Sequence, residues 1–252
     1  MPVLDPIQST LDAVRDRLGD GPVRGLVPGL VVADPRGWTP AGRYADGTAL
    51  PGLISSAQRR WGTAPHVAAA LAWKSYAYWV ALPAVLGFAI GRVPDVSAGN
   101  VLIRPHAGPQ FVEVGLCRPT VATDHRDLPG GAQAEPGFGG AEHPQRLTGY
   151  LRERLLDQHL SPVLEGLHGL VHLGRRTLLG SVASGVAHAL VRVESAVPGL
   201  CDEIGDTLLG ALGVADLVEI TPGPAVHRRT CCLAFTLPEP KVCRGCCLTP
   251  AA

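Results

Sequence analysis

Five of the seven cysteines in this 252-residue chain lie between positions 231 and 247, as Cys231-Cys232, ten residues, Cys243, two residues, Cys246, and then Cys247. Thiolates are soft ligands that suit zinc and iron-sulfur centres. Two residues between Cys243 and Cys246 let the chain fold back so that both sulfurs reach one centre, and Gly245 supplies the backbone freedom such a turn requires. The adjacent pair is the rarer half. On an extended strand, Cys231 and Cys232 point to opposite faces, so joint ligation needs a local twist or ligation of different metal atoms. A two-iron cluster accepts ligands from directions that one tetrahedral zinc does not, and four thiolates are its common ligand set. A zinc staple is the competing reading. Between the pairs, the Leu-Ala-Phe-Thr-Leu run reads as strand and Pro238 to Pro240 as a turn, so the ten-residue gap is expected to close as a hairpin. Arg228, Arg229, Lys241 and Arg244 flank the thiols and can offset their negative charge, while Leu233, Phe235 and Leu237 can shield one side.

The rest of the composition narrows the setting. Lys plus Arg and Asp plus Glu are balanced at 22 each, 46% of residues are hydrophobic and mean hydropathy is +0.18. Such balance gives no global attraction to nucleic acid, and no basic helix-turn-helix pattern is present. The N-terminal stretch carries Asp5, Asp12 and Asp16 and lacks the basic start and apolar run of a signal peptide, so the expected location is cytoplasmic. Thiols stay reduced there, which favours a metal or redox site over disulfides, as does the odd cysteine count. Residues 67–91 are long enough to span a bilayer, but Lys74, Ser75, Tyr76 and Pro83 interrupt the run. A helix buried in a core is the better reading, with peripheral membrane contact left open.

Periodicity gives the elements that must position the thiols. Leu4, Ile7, Leu11, Val14 and Leu18 predict an amphipathic helix ended by Gly19, and residues 52–61 predict another. His66 to Ile90 reads as one or two helices bent at Pro83. Residues 100–106 and 110–116 are β-rich and joined by Ala107, Gly108 and Pro109, a hairpin signal. Residues 123–143 have no period and read as a long loop or lid. Helices are expected over 144–160, from Ser161 as the N-cap before Pro162, over 175–195 and over 201–213, with a strand at 216–220. The expected fold is α+β, mainly helical, with a small antiparallel β-sheet and a C-terminal iron-sulfur-binding segment. Residues 1–222 form the helical body and 223–252 the 2Fe-2S-binding segment.

The Cys-Cys-x10-Cys-x2-Cys spacing, preceded by Arg228-Arg229-Thr230, resembles the FhuF-like siderophore-iron reductases, and the similarity is strongest over residues 227–247. Upstream, the helix-then-sheet run of residues 73–103 is compatible with the body of that family. The resemblance implies a 2Fe-2S cluster bound by Cys231, Cys232, Cys243 and Cys246. Cys247 has no place in the family pattern, and a ligand swap with Cys246 is open; Cys246 is preferred because it completes C-x-x-C. The implied activity is one-electron reduction of siderophore-bound Fe(III), releasing Fe(II) for cytoplasmic use. Hard oxygen donors hold ferric iron more tightly than ferrous, so an added electron frees the metal. Neither a G-x-G-x-x-G after a strand nor a P-loop is present, so electrons are expected from a separate ferredoxin, flavoprotein or small reductant. His227, Arg228 and Arg229 are the expected contacts to the ferric siderophore. The alternatives are a zinc-stapled binding module and an iron- or redox-sensing iron-sulfur protein.

Outside this segment the signals are weaker. Trp73, Tyr76, Tyr78 and Trp79 read mostly as core aromatics. His168 and His172 stand four apart, but no Glu follows His168 and the flanking glycines weaken a helix, so packed or surface histidines are expected. Cys117 and Cys201 are expected to be buried structural thiols.

Overall fold

A computed structural model describes residues 4–106, 108–123 and 143–248. Ala107 and the expected lid, apart from its end residues, lie outside the described residues. The chain runs through α1 (Asp5–Leu18), β1 (Leu26–Val31), β2 (Thr39–Pro40), α2 (Gly42–Ala45), α3 (Leu50–Trp61), α4 (Pro65–Ala89), β3 (Arg92–Pro94), β4 (Val101–Pro105), β5 (Val112–Leu116) and β6 (Val121–Thr123). It continues with α5 (His143–Leu151), a π-helical stretch (Arg152–Leu160), α6 (Ser161–Leu170), α7 (Arg175–Glu194), α8 (Leu200–Ala211), β7 (Val218–Thr221) and β8 (Ala225–Arg228). The fold is mainly helical α+β.

The centre of the molecule is α4. Its sequence is apolar on all sides rather than along one stripe, and it is buried almost throughout its length, as an all-round hydrophobic helix must be. Among the described residues no helix is long and apolar enough to cross a membrane. Pro65 starts the helix, where a missing N–H costs nothing, and a single helix runs on through Pro83. Its main partner is α7, which presents a run of small residues. A Cβ on Gly185 would stand 3.2 Å from the Tyr78 backbone, so the two helices approach almost backbone to backbone. The Trp73 indole N–H donates to the Leu178 carbonyl across this contact at 2.8 Å.

The expected hairpin forms as β4 and β5, antiparallel with Ile103 opposite Val114. It sits within a four-stranded sheet of order β1-β5-β4-β2, in which β1 pairs with β5 in parallel. Two antiparallel ribbons, β3/β6 and β7/β8, complete the β structure. The expected start of a helix at Ser161 is corrected: Ser161 has helical dihedrals (φ −65°, ψ −47°) and makes no capping hydrogen bond, so the helical path continues from α5 through the π stretch into α6. Pro162 is tolerated because it falls in the first turn after the hydrogen-bond pattern changes.

His159 lies in that π stretch and is fully buried. Its Nδ1 is 2.6 Å from the Val96 carbonyl and its Nε2 is 2.7 Å from the Tyr76 hydroxyl. The neutral ring satisfies both, donating from Nδ1 and accepting at Nε2. Burial, only partly opposed by the Val96 carbonyl and by Asp95, lowers its pKa to about 4.

This predicts acid sensitivity. In the unfolded chain a histidine titrates near 6.5, so the unfolded state takes up the proton first as pH falls, and stability present above about pH 6.5 drains away toward pH 4. Urea unfolding at about pH 7 and about pH 4.5 is expected to differ by on the order of 2–3 kcal/mol from His159 alone. The variant His159→Gln is expected to be less stable at pH 7 and to show a flatter pH profile; an unchanged profile would contradict this account.

Candidate functional site

The thiol segment continues directly from the β7/β8 ribbon. In β8, Val226 and Arg228 point inward and His227 is half-buried, as a two-residue period requires. The Arg228 N–H donates to the Gly245 carbonyl at 2.9 Å, which ties the Cys-x-x-Cys turn to the end of this strand. Within the turn the Cys246 N–H donates to the Cys243 carbonyl at 3.1 Å. Gly245 has φ +72°, and a Cβ there would lie 1.8 Å from the Val226 carbonyl oxygen. Only glycine meets both conditions.

The adjacent pair solves its geometric problem differently. Leu233, the next residue, takes a left-handed conformation (φ 62°, ψ 7°) and opens a 3-10 turn over Ala234–Thr236. Its N–H donates to the Cys231 sulfur at 3.3 Å, and the Thr236 hydroxyl donates to its carbonyl at 2.7 Å. The strand expected across residues 233–237 is therefore corrected to a tight turn. The Lys241 N–H donating to the Ala234 carbonyl at 3.0 Å returns the chain toward its start. The left-handed leucine costs about 1–2 kcal/mol, which the packing around it must offset.

The segment is docked on the body at two places. Cys232, Ala234 and Leu237 pack with Val67 and Leu71 of α4, and Leu233, Cys243 and Trp61 border that cluster. On the other side Thr230 rests on Gly180 of α7, where a Cβ would come within 1.7 Å of its Oγ1. Phe235, expected to shield the site, is 41% exposed and turned away. The expected boundary at residue 222 falls in the turn between β7 and β8.

The thiols meet in two groups, one of two and one of three. Cys232 and Cys243 are in hydrogen-bonding contact, and Cys247 contacts both Cys231 and Cys246. Cys232 and Cys246 are buried, and Cys231, Cys243 and Cys247 half-buried. Among the described residues no three His, Cys, Asp or Glu side chains converge as ligands of a single metal ion. Burial pushes the Cys232 thiol up, but Lys74, the Ala234 N–H, Arg228 and the Cys243 thiol outweigh it and hold Cys232 below the usual thiol range. Cys243 is raised by burial and by its neighbours Cys232 and Cys246, against the pull of Lys74 and Arg228. Cys247 is pushed up to about 11 by burial, then by Cys231 and Cys246.

The basic residues sort differently from expectation. Arg228, expected with His227 and Arg229 to touch a chelate, is 2% exposed. One of its terminal nitrogens lies 3.4 Å from the Ser181 hydroxyl, and its Nε and Nη1 have no hydrogen-bond partner. Burial follows from its inward position in β8. Arg229 is exposed and paired with Glu219 at 3.3 Å. A buried cation with unfilled donors is costly unless an anion stands beside it. Among the described residues no carboxylate pairs with Arg228, and the ionisable groups that respond to its charge include the Cys232 and Cys243 thiols.

Sequence reasoning missed a cleft of about 760 Å³ that opens on this centre, with Cys243 in its wall. Lys74, Tyr78 and Trp79 enter it from α4, His188 and Arg192 from α7, and Lys241 from the tail. The signal was a lysine inside an otherwise apolar core helix, which is seldom tolerated without a task. Trp73, Tyr76 and Trp79 are core residues, as expected, and Trp79 and half-buried Tyr78 also border the cleft.

The other candidates fall away from the centre. α6 ends at Leu170, so His168 and His172 share no helix; His168 Nδ1 donates to the Leu173 carbonyl at 2.6 Å and His172 is exposed. Cys117, expected to be buried, is exposed because β5 ends at Leu116. Cys201 is half-buried, and burial with Glu194 raises its thiol to about 12. No protein-family model matches the chain, and no curated protein matches it.

The turn at Gly245 supplies a stability test. Gly245→Ala adds the roughly 1–2 kcal/mol cost of a left-handed non-glycine residue to a clash with backbone that has no side chain to yield. It is expected to lower stability by about 2 kcal/mol or more. Gly149→Ala, on an exposed helical position with open space around it, is expected to stabilise by about 0.5–1 kcal/mol. Equal effects in thermal melts of the two variants would remove the proposed role of the turn.

Proposed function

We propose that this protein is a ferric-siderophore reductase that binds a 2Fe-2S cluster through Cys231, Cys232, Cys243 and Cys246. The observation that carries the reading is Arg228, buried without a carboxylate among the described residues and with open donors beside the clustered thiols. Thiols that come from two arms of the segment, with no three converging on one point among the described residues, suit a centre with two irons better than a single tetrahedral ion. When bound, a 2Fe-2S cluster supplies one electron at a time.

The chain's own residues then have distinct tasks. Arg228 and Lys74 hold positive charge against the thiolates, favouring their deprotonated, ligating form. Leu71, Leu237 and Ala234 limit water on the α4 side. The cleft holds the ferric chelate against the wall that contains Cys243. One electron arrives from a separate ferredoxin, flavoprotein or small reductant, and one leaves to Fe(III), giving Fe(II), which hard oxygen donors bind weakly. No acid or base is needed at the iron. Seven cysteines with no disulfide among them suit a reducing compartment, and a cytoplasmic site of action is part of the proposal.

Anaerobically purified protein is expected to be coloured, with about two irons and two sulfides per chain. A colourless protein carrying stoichiometric zinc would overturn the reading. Cys231→Ser and Cys243→Ser are each expected to abolish the visible absorption and the reduction of ferric siderophores together; reduction retained by a cluster-free variant would refute the mechanism.

Arg228→Met separates the electrostatic claim from folding. Without iron, replacing an uncompensated buried charge by an apolar side chain is expected to be neutral or stabilising. With iron, the same variant is expected to lose its cluster faster to chelators, and Arg228→Lys to recover part of the difference. Equal cluster retention in all three proteins would remove Arg228 from the site.

A further inference from the structure

We propose that the cleft beside Cys243 selects an anionic, aromatic chelate of the tris-catecholate kind over the neutral trihydroxamates. This rests on the reductase reading above and names the substrate class of the same site.

Charge is the first argument. The cleft is lined by Lys74, Arg192 and Lys241 and, among the described residues, by no Asp or Glu. None of the three is paired with a carboxylate there, in contrast to surface arginines elsewhere in the chain, such as Arg104 with Glu113 or Arg175 with Glu165. Their positions divide the work. Lys74 acts on the Cys232 and Cys243 thiols, together with Arg228. Arg192 instead faces Tyr78 and His188, and Lys241 is exposed at the rim. Arg192 is hydrogen-bonded to Tyr78, and among the described residues neither it nor Lys241 is neutralised by a carboxylate of the cleft. Burial first, and then Lys74, Arg192 and Arg228, lower the His188 pKa to about 4, so its ring is neutral near pH 7 and leaves the positive charge of the cleft to the lysines and the arginine.

Shape and chemistry point the same way. A volume of about 760 Å³ is within the range of sites that enclose a small molecule. Half-buried Trp61 and Tyr78 line the cleft and give it an aromatic, apolar part suited to the rings of a catecholate. A trihydroxamate complex of Fe(III) carries no net charge, whereas a tris-catecholate complex carries about three negative charges, so the cations discriminate between chelates of similar size.

Gallium(III) chelates test binding apart from reduction, because gallium does not accept the electron. The full-length protein is titrated calorimetrically with gallium tris-catecholate and with a gallium trihydroxamate of similar size, at low and high salt. The catecholate is expected to bind at least about tenfold more tightly at low salt, with the preference shrinking as salt screens the cations. The variant Arg192→Gln, on α7 and outside the thiol segment, is expected to weaken the catecholate at least about threefold and the hydroxamate little, with unchanged visible absorption. Equal affinities, or a variant that weakens both chelates alike, overturn the substrate class. The reductase reading is judged separately, by mixing reduced protein with the Fe(III) forms: tight catecholate binding without electron transfer defeats that reading alone, and reduction of hydroxamates with no catecholate binding defeats this one alone.

Discussion

The close approach of α4 and α7 is the constraint on which the rest of the molecule depends. It is set by small residues, above all Gly185 against the Tyr78 backbone. Close packing of this kind leaves no room for adjustment, since protein interiors are filled to crystal-like density. With the helix pair fixed, Gly180 makes the seat for Thr230, and Val67 and Leu71 make the seat for Cys232 and Leu237. The same pairing brings Lys74 and His188, which are 114 positions apart in sequence, to one cleft. The floor of the thiol centre and the walls of the cleft are thus two sides of one helix contact.

Within that frame the thiol segment is held by backbone more than by side chains. Four carbonyl contacts define it: Gly245 accepts from Arg228, Cys243 from Cys246, Ala234 from Lys241 and Leu233 from Thr236. Two left-handed residues, Leu233 and Gly245, sit one on each arm. One comes just after the Cys-Cys pair and the other lies inside Cys-x-x-Cys, so each pair of thiols is aimed by a reversal of the chain. Backbone dihedrals of this type persist only where surrounding contacts over-determine them, and here β8 and α4 supply those contacts.

How much of this was legible in the sequence depends on whether the signal was local. The helical periods and the β4/β5 hairpin are local patterns, and each emerges as an element at close to its expected bounds. The parallel partner of β5 was not legible, because β1 and β5 are far apart in the chain and a Gly-Pro-rich stretch hides a strand. Arg228 misled for a different reason: with β8 unrecognised, its type spoke louder than its position, although Val226 and Arg228 already share one face of a strand. The left-handed Leu233 carried no signal, since leucine rarely adopts that conformation and local propensity favours a strand through Leu-Ala-Phe-Thr-Leu. The cleft was invisible because its cations come from α4, α7 and the tail, and only the packing of those three makes them neighbours.

The order of the elements has a bearing on how such a centre is made. Chains emerge from synthesis N-terminal first, and structure formed early can receive later segments. Both helices that seat the thiols precede them, and β7, the partner of β8, ends at Thr221, well ahead of Cys231. The clustered cysteines therefore follow in the chain the helices that seat them, with Lys74 and Arg192 already on those helices. A nascent thiol segment has a native surface to dock against, which shortens the interval in which neighbouring thiols are open to oxidation.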